Sequence, residues 1–549
     1  MVNSLRNQDR TEKIEARPTG GEHASIPRMR STALYRKVKL LSVCIIVFMA
    51  SYFYLSYFRN HFYALLADEG YIFYEAKRIL AGQVIYKDFF QLLPPGDFYL
   101  LALIFKVFGM SYTVGMETAV VMQSTVNALL FYLGYKAIKS WHAILLPLFF
   151  PIPGFLNFMQ YSHYWSSMLF LFIALSLFLG YLEGNREIYL YATGFFVGIT
   201  GLFLQTTGVY ATLLLLLVFV LEDKNKSGFA KKLLLFVFSI SLPLIITFGY
   251  ITWKGALFDF IKEQYFVIRI YAEAGTFNPI QLYFSRLGYA MFPYGLLFIS
   301  FSSIAVIAGI ILIIFRNRIS HSTKIIFAGD IIQTLTSSSR MDVDHILMNS
   351  AMSLVIILLF VKWIVGHADR LSGIFHKVLQ YAFKIAVLAG IVWCLLMMYT
   401  NIVNRYEHSY TIDMDGIRLW TYNKTQVWEI NEFFPKVESI LQGQKNVFVY
   451  PYCPLVYFLY RFNNPTFTDF FLTTWGVPDY GEYSFNRALQ ELIRNKTQYI
   501  IYCDWPHNYL NHILALENKQ YHVNILDKFI SNNFTSILNV NDLILYKKR

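Results

Sequence analysis

Two adjacent carboxylates, Asp68 and Glu69, stand in the run Ala67-Asp68-Glu69-Gly70-Tyr71, shortly after an apolar stretch that closes at Phe58. A carboxylate at a membrane surface can take the proton of an acceptor hydroxyl or amine while that group attacks a sugar carbon, which is general base catalysis. The pair can also do a plainer job. Asp68 can cap an interfacial helix, with Glu69 in its first turn against the positive end of the helix dipole, and residue chemistry alone favours the cap. Tyr86-Lys87-Asp88 and Leu93-Pro94-Pro95-Gly96 follow, then an apolar helix and Phe108-Gly109. Asp88 adds a third carboxylate. Oxygen ligands of this kind suit a divalent metal, which Glu69 and Asp88 allow but do not require. No Cys/His spacing of the zinc type is present.

The elements that carry these residues belong to a membrane protein. Of 549 residues, 56% are hydrophobic and 15% charged, against about 25% charged in soluble domains. Tyr, with 40 copies, is a residue favoured at membrane–water interfaces. A net charge of +12 could point to nucleic acid. The basic residues, however, sit mainly in short loops between apolar runs, which is the pattern of cytoplasmic loops. The first 39 residues are polar and basic, ending in Arg36, Lys37 and Lys39. The first apolar run starts only at Leu40 and lacks a small-residue cleavage site, so no cleavable signal is expected.

About eleven spans are expected, at 40–58, 114–136, 143–159, 164–182, 188–205, 208–221, 233–252, 292–315, 324–336, 346–365 and 384–400. Alternate loops are basic: Lys136/Lys139, Arg186, Lys224 to Lys232, Arg316 to Lys324, then Lys362/Arg370/Lys377. That places the N-terminus in the cytoplasm, and the first loop (59–113) and residues 401–549 outside. The runs 208–221 and 324–336 are short for a crossing at about 1.5 Å per residue. The second holds Asp330 and Gln333, and short helices at membrane depth line cavities rather than lipid. The expected divisions are therefore a cytoplasmic tail 1–39, an all-α polytopic domain 40–400 and a small C-terminal α/β domain 401–549. In the last, 446–450, 498–502 and 542–546 read as strands and 483–494 as an amphipathic helix. Cys44 and Cys394 lie in apolar runs, whereas Cys453 and Cys503 follow two of these strands and would be in disulfide range if the strands are neighbours.

The combination Asp68-Glu69, Asp88, Pro94-Pro95-Gly96 and Phe108-Gly109 resembles the first external loop of C-type membrane glycosyltransferases. This superfamily includes the protein O-mannosyltransferases and the lipid A aminoarabinose transferases. The resemblance covers 40–140 most closely. It implies a donor sugar on a polyprenyl phosphate and an acceptor outside the cytoplasm, whether cell-envelope glycan, lipid or protein. It puts the catalytic base on Asp68, with Glu69 beside it. Three further places resemble the bacterial branch: Tyr161-Ser162-His163-Tyr164-Trp165, Gln205-Thr206-Thr207-Gly208, and Ser339-Arg340-Met341-Asp342-Val343-Asp344-His345. In the last, Arg340 and His345 would meet the donor phosphate and Asp342 would orient them. Two departures stand out. His163 occupies the loop where the aminoarabinose transferases carry a second acid, and Leu93 stands where they have a lysine, with Lys87 the nearest substitute. The stretches Cys453 to Phe458 and Asn463-Asn464-Pro465-Thr466 also resemble that branch. Two other classes compete. A transporter would show charges deep in several spans and an inverted repeat, and the sequence shows no repeat. A non-catalytic envelope-glycan assembly protein would keep the fold without needing Asp68.

Overall fold

The protein was analysed as a computed structural model that describes residues 26–62, 68–149, 160–273, 294–315, 317–337, 343–367, 373–414, 417–469, 471, 478–503 and 525–549. The apolar runs fold as helices because a chain in lipid must satisfy its own backbone hydrogen bonds. In chain order they are α1 (Ile26–Phe58), α2 (Asp68–Leu80), α3 (Gly96–Phe108), α4 (Tyr112–Ile138), α5 (Leu145–Phe149), α6 (His163–Gly184), α7 (Glu187–Phe203), α8 (Gln205–Asp223), α9 (Phe229–Trp253), α10 (Leu257–Glu273), α11 (Tyr294–Ile314), α12 (His321–Ser337), α13 (Val343–Met348), α14 (Ala351–His367) and α15 (Gly373–His408). Among the described residues five helices are long and apolar enough to cross a membrane, or six with the bent pair α3–α4; α7 and the apolar stretches of α11 and α14 are shorter. The chain is an integral membrane protein with a polytopic helical domain.

Phe108-Gly109 is the corner of that bent pair. Gly109 takes a left-handed φ of 89°, the Ser111 side chain accepts from the Val114 N–H to cap α4, and the chain turns by 117°. The span expected to be too short, 208–221, is longer than read. As α8 it runs 19 residues, about 29 Å, because Gln205, Thr206 and Thr207 extend the helix at one end of the apolar run and Glu222 and Asp223 at the other. The span at 324–336 remains short, and its polar residues face the bundle: Asp330 accepts from the Ser353 hydroxyl, and Gln333 Oε1 accepts from the Met352 N–H at 3.0 Å. Of the span at 143–159 only α5 and a preceding 3-10 turn fall within the described residues.

Beyond α15 the chain builds a hairpin, β1 (Tyr410–Met414) and β2 (Ile417–Thr421), then α16 (Lys424–Leu441), β3 (Phe448–Tyr450), α17 (Pro454–Leu459), α18 (Pro478–Arg494), β4 (Tyr499–Cys503), α19 (Ile525–Asn533), β5 (Phe534–Val540) and β6 (Leu543–Lys548). The larger sheet has the order β3-β4-β6-β5, with β3 and β4 parallel and the other pairs antiparallel. The expected strands are β3, β4 and β6. The hairpin and β5 are additions that apolar patterning could not show, since β5 exposes most of its residues. Cys453 and Cys503 are buried and free. They lie within hydrogen-bond reach, and burial together with that contact pushes the Cys453 thiol well up.

Candidate active site

The helix that opens with Asp68 and Glu69 is held from three sides. Gly70 lies so close to α17 that a Cβ there would come within 2.6 Å of the Leu455 nitrogen, so only glycine fits without a backbone shift. One turn on, Tyr74 stacks on Tyr457 at 4.8 Å, and its hydroxyl accepts from the Asn464 N–H at 2.8 Å. Lys77 donates to the Phe462 carbonyl at 3.1 Å. Arg78 pairs with Asp469 at 2.5 Å, both side chains being buried. The stretch 453–469 of the C-terminal domain therefore lies along α2 from its first turn to its last.

At the start of α2 the Asp68 side chain lies outside the described part of the structure. Glu69 is buried. Tyr112 Oη donates to the His61 carbonyl at 2.9 Å and stands 3.3 Å from Glu69 Oε1. Burial, with Arg405 nearby, lowers the His61 pKa to about 4, so this imidazole is neutral at pH 7.

The second side is the loop 85–95. Tyr86 holds a left-handed φ of 70°, a conformation that bulky residues seldom adopt. Its hydroxyl donates to the Leu93 carbonyl at 2.8 Å. Gln91 is the hub. Its Nε2 donates to Glu75 Oε2 at 2.7 Å, its Oε1 accepts from the Leu93 N–H at 2.7 Å, and its own N–H donates to Glu263 of α10 at 2.9 Å. On the third side, Gln205 Nε2 donates to Gln264 Oε1 at 2.8 Å, and Gln264 Nε2 donates to the Leu92 carbonyl at 3.3 Å. Gly96, the glycine after the two prolines, packs on the end of α7, where a Cβ would come within 2.5 Å of the Leu202 carbonyl oxygen. The first-loop motifs are thus the places where the loop meets α7, α10 and the C-terminal domain.

The residues expected to form the site fall into separate groups. Gln205 joins the first loop through Gln264. The Tyr164 ring lies against both His163 and His345, with ring centroids at 4.4 Å and 4.6 Å. Asp88 does not stand with Glu69. It lies at the far end of α2, where Arg78 donates to its carbonyl at 2.9 Å and its carboxylate accepts from the Val84 N–H at 2.7 Å. That is roughly nine helical residues, about 14 Å, from Glu69. Lys87 donates to the Lys254 carbonyl at 3.2 Å. Arg340 and Asp342 lie outside the described residues. Among the described residues no three His, Cys, Asp or Glu side chains are grouped to hold a metal ion.

The sequence reading missed Glu75, Arg78, Gln91, Glu263 and Asp469. One signal was available: Glu75 follows Asp68 by seven residues, which puts both on one face of α2. Glu75 Oε1 and Asp469 Oδ2 are buried with no hydrogen-bond partner among the described residues. Burial, reinforced by Asp469, holds Glu75 well above the ordinary carboxyl range. Glu263 is likewise raised by burial, and burial raises Asp469 against the opposing pull of Arg78. A carboxyl raised in the folded state binds its proton more tightly there than in the unfolded chain. Its contribution to stability is full below the unfolded value of about 4.3 and is lost as pH rises through the folded value. Glu75→Gln removes that loss while keeping the oxygen that Gln91 needs. The thermal midpoint of the variant should therefore gain on the parent as pH is raised from 5 to 8, as differential scanning fluorimetry in lipid nanodiscs would record. An unchanging gap between the two would mean that Glu75 is ionised throughout.

No family model and no curated protein matches this sequence. Among solved structures, ArnT from Cupriavidus metallidurans bound to undecaprenyl phosphate aligns over 94% of this chain and 98% of its own, with a TM-score of 0.50 at 11% identity. The apo state of ArnT aligns over the same shares, with a TM-score of 0.45 at 12% identity. The alignment runs through both the membrane helices and the C-terminal domain, so the chain has the fold of ArnT, the C-type glycosyltransferase fold that its first-loop motifs led one to expect.

Proposed function

We propose that this protein is a membrane glycosyltransferase that moves a monosaccharide from a polyprenyl-phosphate carrier to an acceptor outside the cytoplasm. The observation that carries the proposal is the support given to Asp68-Glu69. Their helix is fixed by buried contacts at the meeting point of the first loop, α10 and the C-terminal domain, in a chain with the fold of a protein solved with undecaprenyl phosphate. In the proposed reaction Asp68 accepts the acceptor's proton. The acceptor's oxygen or nitrogen bonds to the anomeric carbon, the bond from that carbon to the phosphate oxygen breaks, and the lipid phosphate leaves. Glu69 is its neighbour in the chain. The N-terminus is cytoplasmic in this reading and the 401–549 domain external, so Asp68, Gln205, His163 and His345 share the outer side.

The test is comparative mass spectrometry of cell-envelope glycans, lipids and proteins with and without the gene, followed by release of polyprenyl phosphate in proteoliposomes given the missing sugar's carrier. Loss of one sugar from one acceptor class is expected, and an unaltered envelope would end the proposal. Arg340 is proposed to hold the leaving phosphate with its planar fork, aided by His345 and oriented by Asp342. Arg340→Ala should then lower transfer at limiting donor at least about tenfold, or about 1.4 kcal/mol. An exposed Arg–Asp pair with no such role is worth about 0–1 kcal/mol and its loss would leave transfer intact, in which case Lys87 is the next residue to substitute.

A further inference from the structure

We infer that α10 lies in the surface of the outer leaflet and ties the site to the membrane through its opposite face. The helix has two unlike sides. Phe258 is 86% exposed, and Ile261, Tyr265 and Ile268 are 53–58% exposed. At 100° per residue these four fall within an arc of about 80°. The opposite side is buried at Glu263 and Phe266 and half-buried at Phe260 and Gln264, and it does structural work: Glu263 accepts from Gln91, Gln264 joins Gln205 to Leu92, Phe260 packs edge-on against Tyr86 at 5.0 Å, and Phe266 stacks on Tyr483 at 5.7 Å.

Three observations fix the occupant of the exposed side as lipid. First, α9 is a span whose exposed surface is apolar, with Leu234, Val237, Phe238, Ile245 and Ile246 outward. Secondly, α9 ends in Tyr250 and Trp253 and is followed by Lys254, whose ammonium lies over both rings at 5.6 Å and 4.8 Å. Aromatic rings with an adjacent lysine mark the bilayer–water boundary. Thirdly, only Lys254, Gly255 and Ala256 separate that boundary from α10, a connector reaching about 10 Å at most. The apolar arc of α10 thus begins at interface level and continues the lipid-facing surface of α9. Helices with one apolar and one polar side lie along such an interface, with the apolar side about 5–10 Å into the headgroup boundary. Because Glu263 and Gln264 hold Gln91 and Leu92, the height of the first loop above the bilayer follows that of α10. The leaflet named is the outer one on the orientation proposed above, but the test below requires neither that orientation nor any transfer activity.

The full chain carrying Ile261→Cys, labelled with an environment-sensitive fluorophore, is placed in phosphatidylethanolamine/phosphatidylglycerol nanodiscs with a nitroxide near the top of the acyl chain. Lys436→Cys on α16 is the control, and the unsubstituted chain gives the background from its own cysteines. The label at 261 should be blue-shifted and quenched roughly twofold or more beyond the control. A blue shift without quenching would show that protein covers the face, and quenching equal to the control would show that water does. Either result overturns the inference.

Discussion

Replacing Asp68 by asparagine is expected to lower sugar transfer by about 10²–10⁴-fold, the range contributed by a general base, while the protein still inserts and folds. Asparagine keeps the shape and the helix-capping oxygen at the start of α2, so a purely capping Asp68 would survive the change with little effect. The measurement is transfer from a polyprenyl-phosphate sugar in proteoliposomes, with thermal unfolding of the same preparation as the control. Unchanged transfer by Asp68→Asn would falsify the assignment. A fall seen only with Glu69→Gln would move the role by one residue, to a carboxylate buried beside Tyr112.

The second large effect is expected at Arg78 and Asp469. Their 2.5 Å contact joins the last turn of α2 to the C-terminal domain, and both side chains are buried. Arg78 also holds Gln83 and the Asp88 carbonyl. Removing one partner of a buried pair costs about 3–5 kcal/mol, because the other is left without a counter-charge. Arg78→Ala and Asp469→Ala should each lower the thermal midpoint and, by loosening α2, lower transfer. The double variant should lose less than the sum of the two, since contacting residues are not additive. Additive losses would mean that the two side chains act separately and that the clamp rests on the Tyr74–Tyr457 stack and the Gly70 contact.

Much of this architecture was legible because lipid imposes long apolar runs, and α1, α6, α9 and α15 contain such runs. The first-loop motifs were legible for a different reason: glycine is required wherever backbone meets backbone, and Gly70 and Gly96 do so. What could not be read was pairing at a distance. Nothing local in Glu263 or Asp469 announces that one will accept from Gln91 and the other from Arg78. Exposed strands such as β5 carry no apolar alternation to betray them. Asp88, which belongs to the motif that carries the resemblance, also accepts from the Val84 N–H and so caps its own turn, a local role its charge alone did not announce.

The contact between α2 and the 453–469 stretch has a consequence for how the protein is made. Arg78 and Asp469 are 391 residues apart in the chain. At about 5–20 residues per second of synthesis, the helix that begins with Asp68 leaves the ribosome roughly 20–80 s before its partner exists. For that interval Glu75 and Arg78 have no Asp469, and the face of Gly70 and Tyr74 is bare. The proposed catalytic centre is therefore completed only after every membrane helix has been made, so a chain interrupted before residue 469 would insert its helices but remain inert toward any donor it met.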